Sequence, residues 1–197
     1  MMKLVPLLVC LSAILFLLGC SAGRPFQNPD HGSMALGQTT EEQVVGLFGK
    51  PLREFAVTTN GEDMKMLQYY YVPGHRNPVT GISPVTTMFV YLWKDKLVRY
   101  EYTSTASETN TDFDTELVKK ITKGSTTCSQ VVELIGQPGG YAIFPGIPEH
   151  DVTAMVYFCE ITTGLAFNAK IHRKILVLPF DKNGVILDVQ LTETGQG

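Results

Sequence analysis

The chain has 197 residues, 44% of them hydrophobic and 18% charged, with a formal net charge of −3. That hydrophobic share excludes a disordered chain, and the length suits one domain or two small ones. An acidic balance without a basic stripe argues against a nucleic-acid partner.

The N-terminus carries a targeting pattern. Lys3 supplies a positive start, and residues 4–18 form an apolar run too short to span a bilayer comfortably. The run ends in Leu17-Leu18-Gly19-Cys20. This resembles a bacterial lipoprotein signal, which implies removal of residues 1–19 and acylation of Cys20 by chains such as palmitate. The alternatives are an ordinary secretory signal or an uncleaved anchor. Each buried CH₂ contributes about 0.8 kcal/mol, so several acyl chains make a lasting anchor. Ser21 follows the cysteine. By the same resemblance, the lack of Asp there favours the outer membrane, with the chain facing the periplasm. Residues 20–36, polar and bearing Gly and Pro, read as a flexible tether.

Gly37-Gln38-Thr39-Thr40-Glu41-Glu42-Gln43-Val44-Val45 opens a stretch that ends Gly49-Lys50-Pro51, and the pattern returns 87 positions later from Gly124 to Pro138. Each copy reads as a capped helix. Thr39 and Thr126 are the expected N-caps, with Glu42 closing a capping box in the first copy and Ser129 too short to do so in the second. Val44, Leu47 and Phe48 share one face, as do Val131, Leu134 and Ile135. Gly49 and Gly136 are expected to end the helices in a left-handed conformation, before Pro51 and Pro138. Neither copy has the spacing or lysine of a phosphate-binding loop.

Strand signals follow at 52–58, closed by Asn60-Gly61, and at 64–72. A Gly- and Pro-punctuated loop at 73–84 precedes a hairpin of 85–93 and 97–103 around Asp95-Lys96. After a link at 105–110, the pattern predicts a helix over 112–122, the second motif helix, and strands at 152–161, 174–180 and 185–191. The offset of 87 continues into the strands, setting Tyr70 on Tyr157, Val90 on Val177 and Trp93 on Phe180. The expected organisation is two units, 37–104 and 110–191.

Gly124-Ser125-Thr126-Thr127, Gln130-Val131, Leu134, Gly136, Pro138, Tyr157 and Phe180-Asp181-Lys182-Asn183-Gly184-Val185, on a lipoprotein, resemble the SmpA/OmlA (BamE-like) outer-membrane lipoproteins. Tyr71-Val72-Pro73-Gly74-His75 looks like that family's inter-strand loop. The resemblance implies an α+β fold of two tandem ααβββ units, with helices packed on one face of antiparallel sheets. It also implies a non-enzymatic role beside the machine that inserts β-barrel proteins. A tandem pair is similar, too, to the β-lactamase inhibitor protein arrangement, in which two units make one concave sheet that grips a protein.

No His/Cys/Asp/Glu group has metal-ligand spacing, and no cofactor motif is present. Glu149-His150-Asp151 reads as a solvated loop, because adjacency supplies no catalytic geometry. Cys128 sits where a helix N-terminus could lower a thiol pKa. With Cys10 in the signal and Cys20 acylated, Cys128 and Cys159 are left either to pair or to remain two buried free thiols. Aromatic residues are the binding candidates: Tyr69, Tyr71, His75 beside them, Tyr91, Trp93, Tyr100 and Tyr102. They anchor an interface if they lie on an uncovered sheet face, and belong to the core otherwise. The leading expectation is a lipid-anchored periplasmic scaffold binding an envelope protein. The rival readings are an inhibitor of a periplasmic enzyme, such as a cell-wall hydrolase or β-lactamase, and an envelope enzyme using His150 or Cys128.

Overall fold

The computed structural model describes residues 23–74, 83–164, 168 and 170–195. The signal, Cys20 and His75 lie outside the described residues.

Eight strands form one antiparallel sheet in sequence order: β1 (Arg53–Thr59), β2 (Glu62–Tyr71), β3 (Thr86–Trp93), β4 (Lys96–Ser104), β5 (Gly140–Ala142), β6 (Thr153–Thr163), β7 (Lys170–Phe180) and β8 (Gln190–Thr194). Among the described residues helices are few: α1 (Glu41–Phe48), a single turn α2 (Thr115–Val118) and α3 (Cys128–Ile135), besides a 3₁₀ turn at His31–Ser33. This corrects the expected fold class. The chain is predominantly strand in a single curled sheet, not a tandem pair of helix-covered ααβββ units. The expected helix over 112–122 shrinks to one turn because Asp114 caps it late and Ile121 already closes a turn on Val118. β4 pairs with β5, so the two halves share one ladder. Gly139 and Gly140 permit that approach: a Cβ on Gly140 would lie 1.8 Å from the Tyr100 carbonyl oxygen.

The helix caps fall one residue later than expected. Thr40 accepts from the Gln43 amide and Gln43 returns a bond to the Thr40 amide at 2.9 Å; Thr127 and Gln130 repeat this at 2.8 Å. Gln at the third helical position has the reach that Ser129 lacks, so both copies close the box. Gly49 and Gly136 do take positive φ, 81° and 85°, but with ψ of −166° and −175°. That is an extended region open essentially to glycine alone, not the left-handed helical one.

One side of the sheet carries all three helices. Val44 of α1 is fully buried among Leu67, Tyr69, Met88, Val90, Tyr100 and Tyr102. Val131 of α3 is fully buried among Met155, Tyr157, Leu176, Leu178 and Ile186. Leu47, expected on the buried stripe, is 51% exposed. The tether is shorter than expected: Met34 is fully buried, and the Phe26 ring meets Phe48, Tyr69 and Tyr102 at 6.1–6.4 Å.

Some contacts recur in the two halves, at an offset that drifts. The Gly37 and Gly124 amides donate to the Leu97 and Ile186 carbonyls, which are 89 apart. The Tyr69 hydroxyl donates to the Gly49 carbonyl at 3.2 Å and the Tyr157 hydroxyl to the Gly136 carbonyl at 2.8 Å, which makes these tyrosines equivalent at an offset of 88. The fixed offset of 87 therefore set Tyr70 on Tyr157 wrongly. A slip of one residue in a strand exchanges the two faces.

Candidate functional site

Among the described residues, the opposite side of the sheet carries no helix. Register decides which side chains stand there. Phe55 pairs with Met66, Met66 with Tyr91, and Tyr91 with Arg99; Phe89 pairs with Glu101. In the second half, Phe158 pairs with Ile175 and Glu160 with Arg173. β5 is only three residues long, so beyond it β4 and β6 lie side by side, and the Glu160 amide donates to the Thr103 hydroxyl at 3.3 Å. The Phe89 and Phe158 rings then meet 6.0 Å apart, across β4.

Of these, all but Phe55 and Thr103 line a groove of about 370 Å³. Its floor is apolar: Met64, Met66, Phe89, Phe158 and Ile175. Two ion pairs form its walls. Arg99 Nε donates to Glu101 Oε1 at 2.7 Å, and Arg99 Nη1 to the Gly146 carbonyl at 2.9 Å. Arg173 pairs with Glu160. The Arg99 guanidinium also lies 5.7 Å from the Tyr91 ring centre. Burial raises the Tyr91 phenol well above its usual value and the Glu101 charge adds to this, so the hydroxyl stays protonated as a donor. The loop after β5 walls the far end. Ile147 packs beneath it against Ala142, Ala154 and Val156, and the Pro145 carbonyl accepts from Asn60 Nδ2 at 2.9 Å.

The expected aromatic residues divide between the two faces. Tyr69, Tyr100 and Tyr102 are buried in the core beneath α1, so they are corrected from interface anchors to core. Tyr71 is half-buried at the end of the same side of β2. Tyr91 alone lines the groove. Trp93 stands at its margin, donating from Nε1 to Glu62 at 2.9 Å and meeting Phe144 edge-on at 6.1 Å, with Lys94 Nζ 3.9 Å above it. His150 stacks on Phe144 at 3.8 Å. A shift in register between Tyr91 and Leu92 sets Tyr100 opposite Val90. The hairpin turns at Lys94-Asp95, one residue earlier than expected, but that change alone would keep Tyr91 and Tyr100 on one face, so the register shift is what separates them. Phe89, Phe158, Arg99, Glu101 and the two methionines went unread. Alternation along β3 from Tyr91 points to Phe89; the rest required the pairing.

Both remaining thiols are free. Cys159 is buried, and its sulfur donates to Asp112 Oδ1 at 3.4 Å. Burial, then the Asp112 charge, pushes this thiol up to about 12. Cys128 is the first residue of α3, yet burial raises its pKa rather than the helix terminus lowering it. It borders a wider hollow of about 980 Å³ on the helix-bearing side, with Val132, Tyr141, Met155 and Phe180.

No protein-family model matches the sequence, and no curated protein matches it. The SmpA/OmlA resemblance therefore has no family match behind it. Among solved structures, the crystal structure of a "putative beta-lactamase inhibitor protein" from Streptococcus mutans is similar over 83% of this chain and 87% of that one, with 14% identity and a TM-score of 0.43. Likeness at that level supports no argument about fold or role.

Proposed function

We propose that the chain is a non-enzymatic, lipid-anchored protein of the bacterial outer membrane that binds an envelope protein on the uncovered face of its sheet. The apolar floor of the groove, set between two ion pairs, is the observation that carries this reading. An open face with aromatic and methionine side chains between fixed charges suits an inserted apolar side chain of a protein partner. Arg99 and Glu101 are already paired to each other, so they brace the walls and cost a partner little new desolvation. The anchor rests on the Gly19-Cys20 signal. The finer part of the proposal, assistance to the barrel-assembly machine, rests on the residue resemblance to SmpA/OmlA proteins.

The test is a detergent pull-down of the tagged, acylated chain from envelope membranes, beside a Phe89→Ala, Phe158→Ala variant. Recovery of barrel-assembly subunits by the parent chain, lost in the variant, is the expected result. Recovery of a single soluble periplasmic enzyme, and inhibition of it by the chain, would replace the scaffold by an inhibitor. No partner, with the chain in the soluble fraction, would overturn both.

A further inference from the structure

The sheet ends at β1, and no described residue pairs with its outer edge. Its burial pattern runs exposed at Arg53, Glu54, Phe55, Ala56 and Thr58, with Val57 and Thr59 half-buried. Native edges are usually blunted by a proline, a bulge, an inward charge or brevity. β1 pairs β2 without a register shift over seven residues and contains neither proline nor lysine. The opposite edge, β8, has five residues.

The β1–β2 turn fixes which backbone groups face outward. Asn60 and Gly61, at φ 53° and 81°, make a two-residue turn between Thr59 and Glu62. In such a hairpin the two flanking residues exchange both hydrogen bonds, and bonded and non-bonded pairs alternate from there. Thr59, Val57, Phe55 and Arg53 thus spend their amides and carbonyls on β2. Glu54, Ala56 and Thr58 turn theirs to the free edge.

We propose that this edge pairs with the same strand of a second copy, antiparallel and centred on Ala56. In that register Ala56 faces Ala56 across the twofold axis, and Glu54 faces Thr58 on either side. All three outward residues then fall in hydrogen-bonded pairs, giving six bonds and leaving no outward group of those residues unmet. The side chains agree. Phe55, 39% exposed, faces Val57 on the uncovered side, an aromatic and β-branched pair. Ala56 faces a second alanine on the helix side, where a large residue would crowd. No like charges oppose: Arg53 faces Thr59 and Glu54 faces Thr58. A twofold interface requires this self-complementarity: where one residue faces a second across the axis, the second faces the first. Other registers that preserve the faces leave one end of the strand unpaired. The product is one continuous sixteen-stranded sheet with a groove in each half.

The full chain, in membranes and in detergent, carries the test. Residues in a hydrogen-bonded pair lie about 5.5 Å apart between Cα atoms, within disulfide reach. Ala56→Cys should therefore cross-link to itself under mild oxidation. Phe55→Cys and Val57→Cys should cross-link when mixed, and only weakly alone. Thr58→Cys is the register control: Thr58 would lie about 13 Å from its own copy, four residues along the strand, and should not cross-link. Ala56→Pro removes only an outward amide, which an edge strand tolerates. It should give a monomer by light scattering with an unchanged melting temperature, where the parent chain has the mass of two copies. A monomeric parent chain, a dimer that persists in Ala56→Pro, or a Thr58→Cys cross-link as strong as that of Ala56→Cys would each overturn the proposal.

Discussion

Single side chains in this chain act by what they close off. Tyr69 and Tyr157 each reach from the sheet to the glycine carbonyl that ends a helix. Such a carbonyl has no partner inside its own helix, so the phenol supplies one. Tyr157→Phe should cost about 1 kcal/mol, and Tyr69→Phe about the same or less, given its longer bond. The two should add, because they sit beneath different helices; denaturant unfolding of the single and double variants checks both. Cys159, held protonated up to about 12, gives stability a pH dependence. Its proton is bound more tightly folded than unfolded. The unfolded thiol ionises from about its ordinary 9.0, so stability is full below that pH and falls as pH rises toward 12. The buried phenols of Tyr91, Tyr100 and Tyr157, raised from 10.0 by burial, act in the same direction. Thermal melts from pH 7 to pH 10.5 should show a flat region and then a decline. In the same series, iodoacetamide should label Cys159 at pH 8 only after unfolding.

At the scale of elements, capping and register explain what the residues alone displayed. The first Thr-x-x-Gln box and the Asn60-Gly61 turn are local chemistry, legible in the sequence to within one residue; the second box, expected to stay open at Ser129, closes through Gln130, and the glycines after both boxes are extended rather than left-handed helical. Gly136→Ala should cost about 1–3 kcal/mol through backbone strain alone, since nothing lies within 4 Å of the added Cβ. Gly140→Ala should be worse, because its Cβ would meet the Tyr100 carbonyl and part β4 from β5; calorimetry of the pair separates strain from collision. Register was not local. The shift between Tyr91 and Leu92, and the extra residue between α3 and Tyr157, each exchange one face of a strand for the other. The sequence leaves Tyr69, Tyr100 and Tyr102 open between interface and core, and only the register puts them in the core. Strand β5 escaped notice because Gly140, Tyr141 and Ala142 have no alternation to betray them; only the glycine clearance against β4 makes a strand there.

For the whole molecule, duplication produces a sheet with unlike sides. Each half places a capped eight-residue helix over a buried valine on the same side, joined in the second half by the single turn α2, and the other side holds the groove. Phe89 and Phe158 come from different halves, 69 residues apart, so no sequence window contains the site. The approach of β6 to β4 beyond the short β5 builds it. The central claim is that this uncovered side, not the helix side, holds a protein partner. The most direct measurement places a photo-reactive phenylalanine analogue at Tyr91 in the groove, or at Leu47 on the exposed flank of α1, in the full chain within its own membranes. A discrete adduct from position 91, absent from 47 and abolished by Phe89→Ala with Phe158→Ala, is the predicted result. An adduct from 47 with none from 91 would contradict the account.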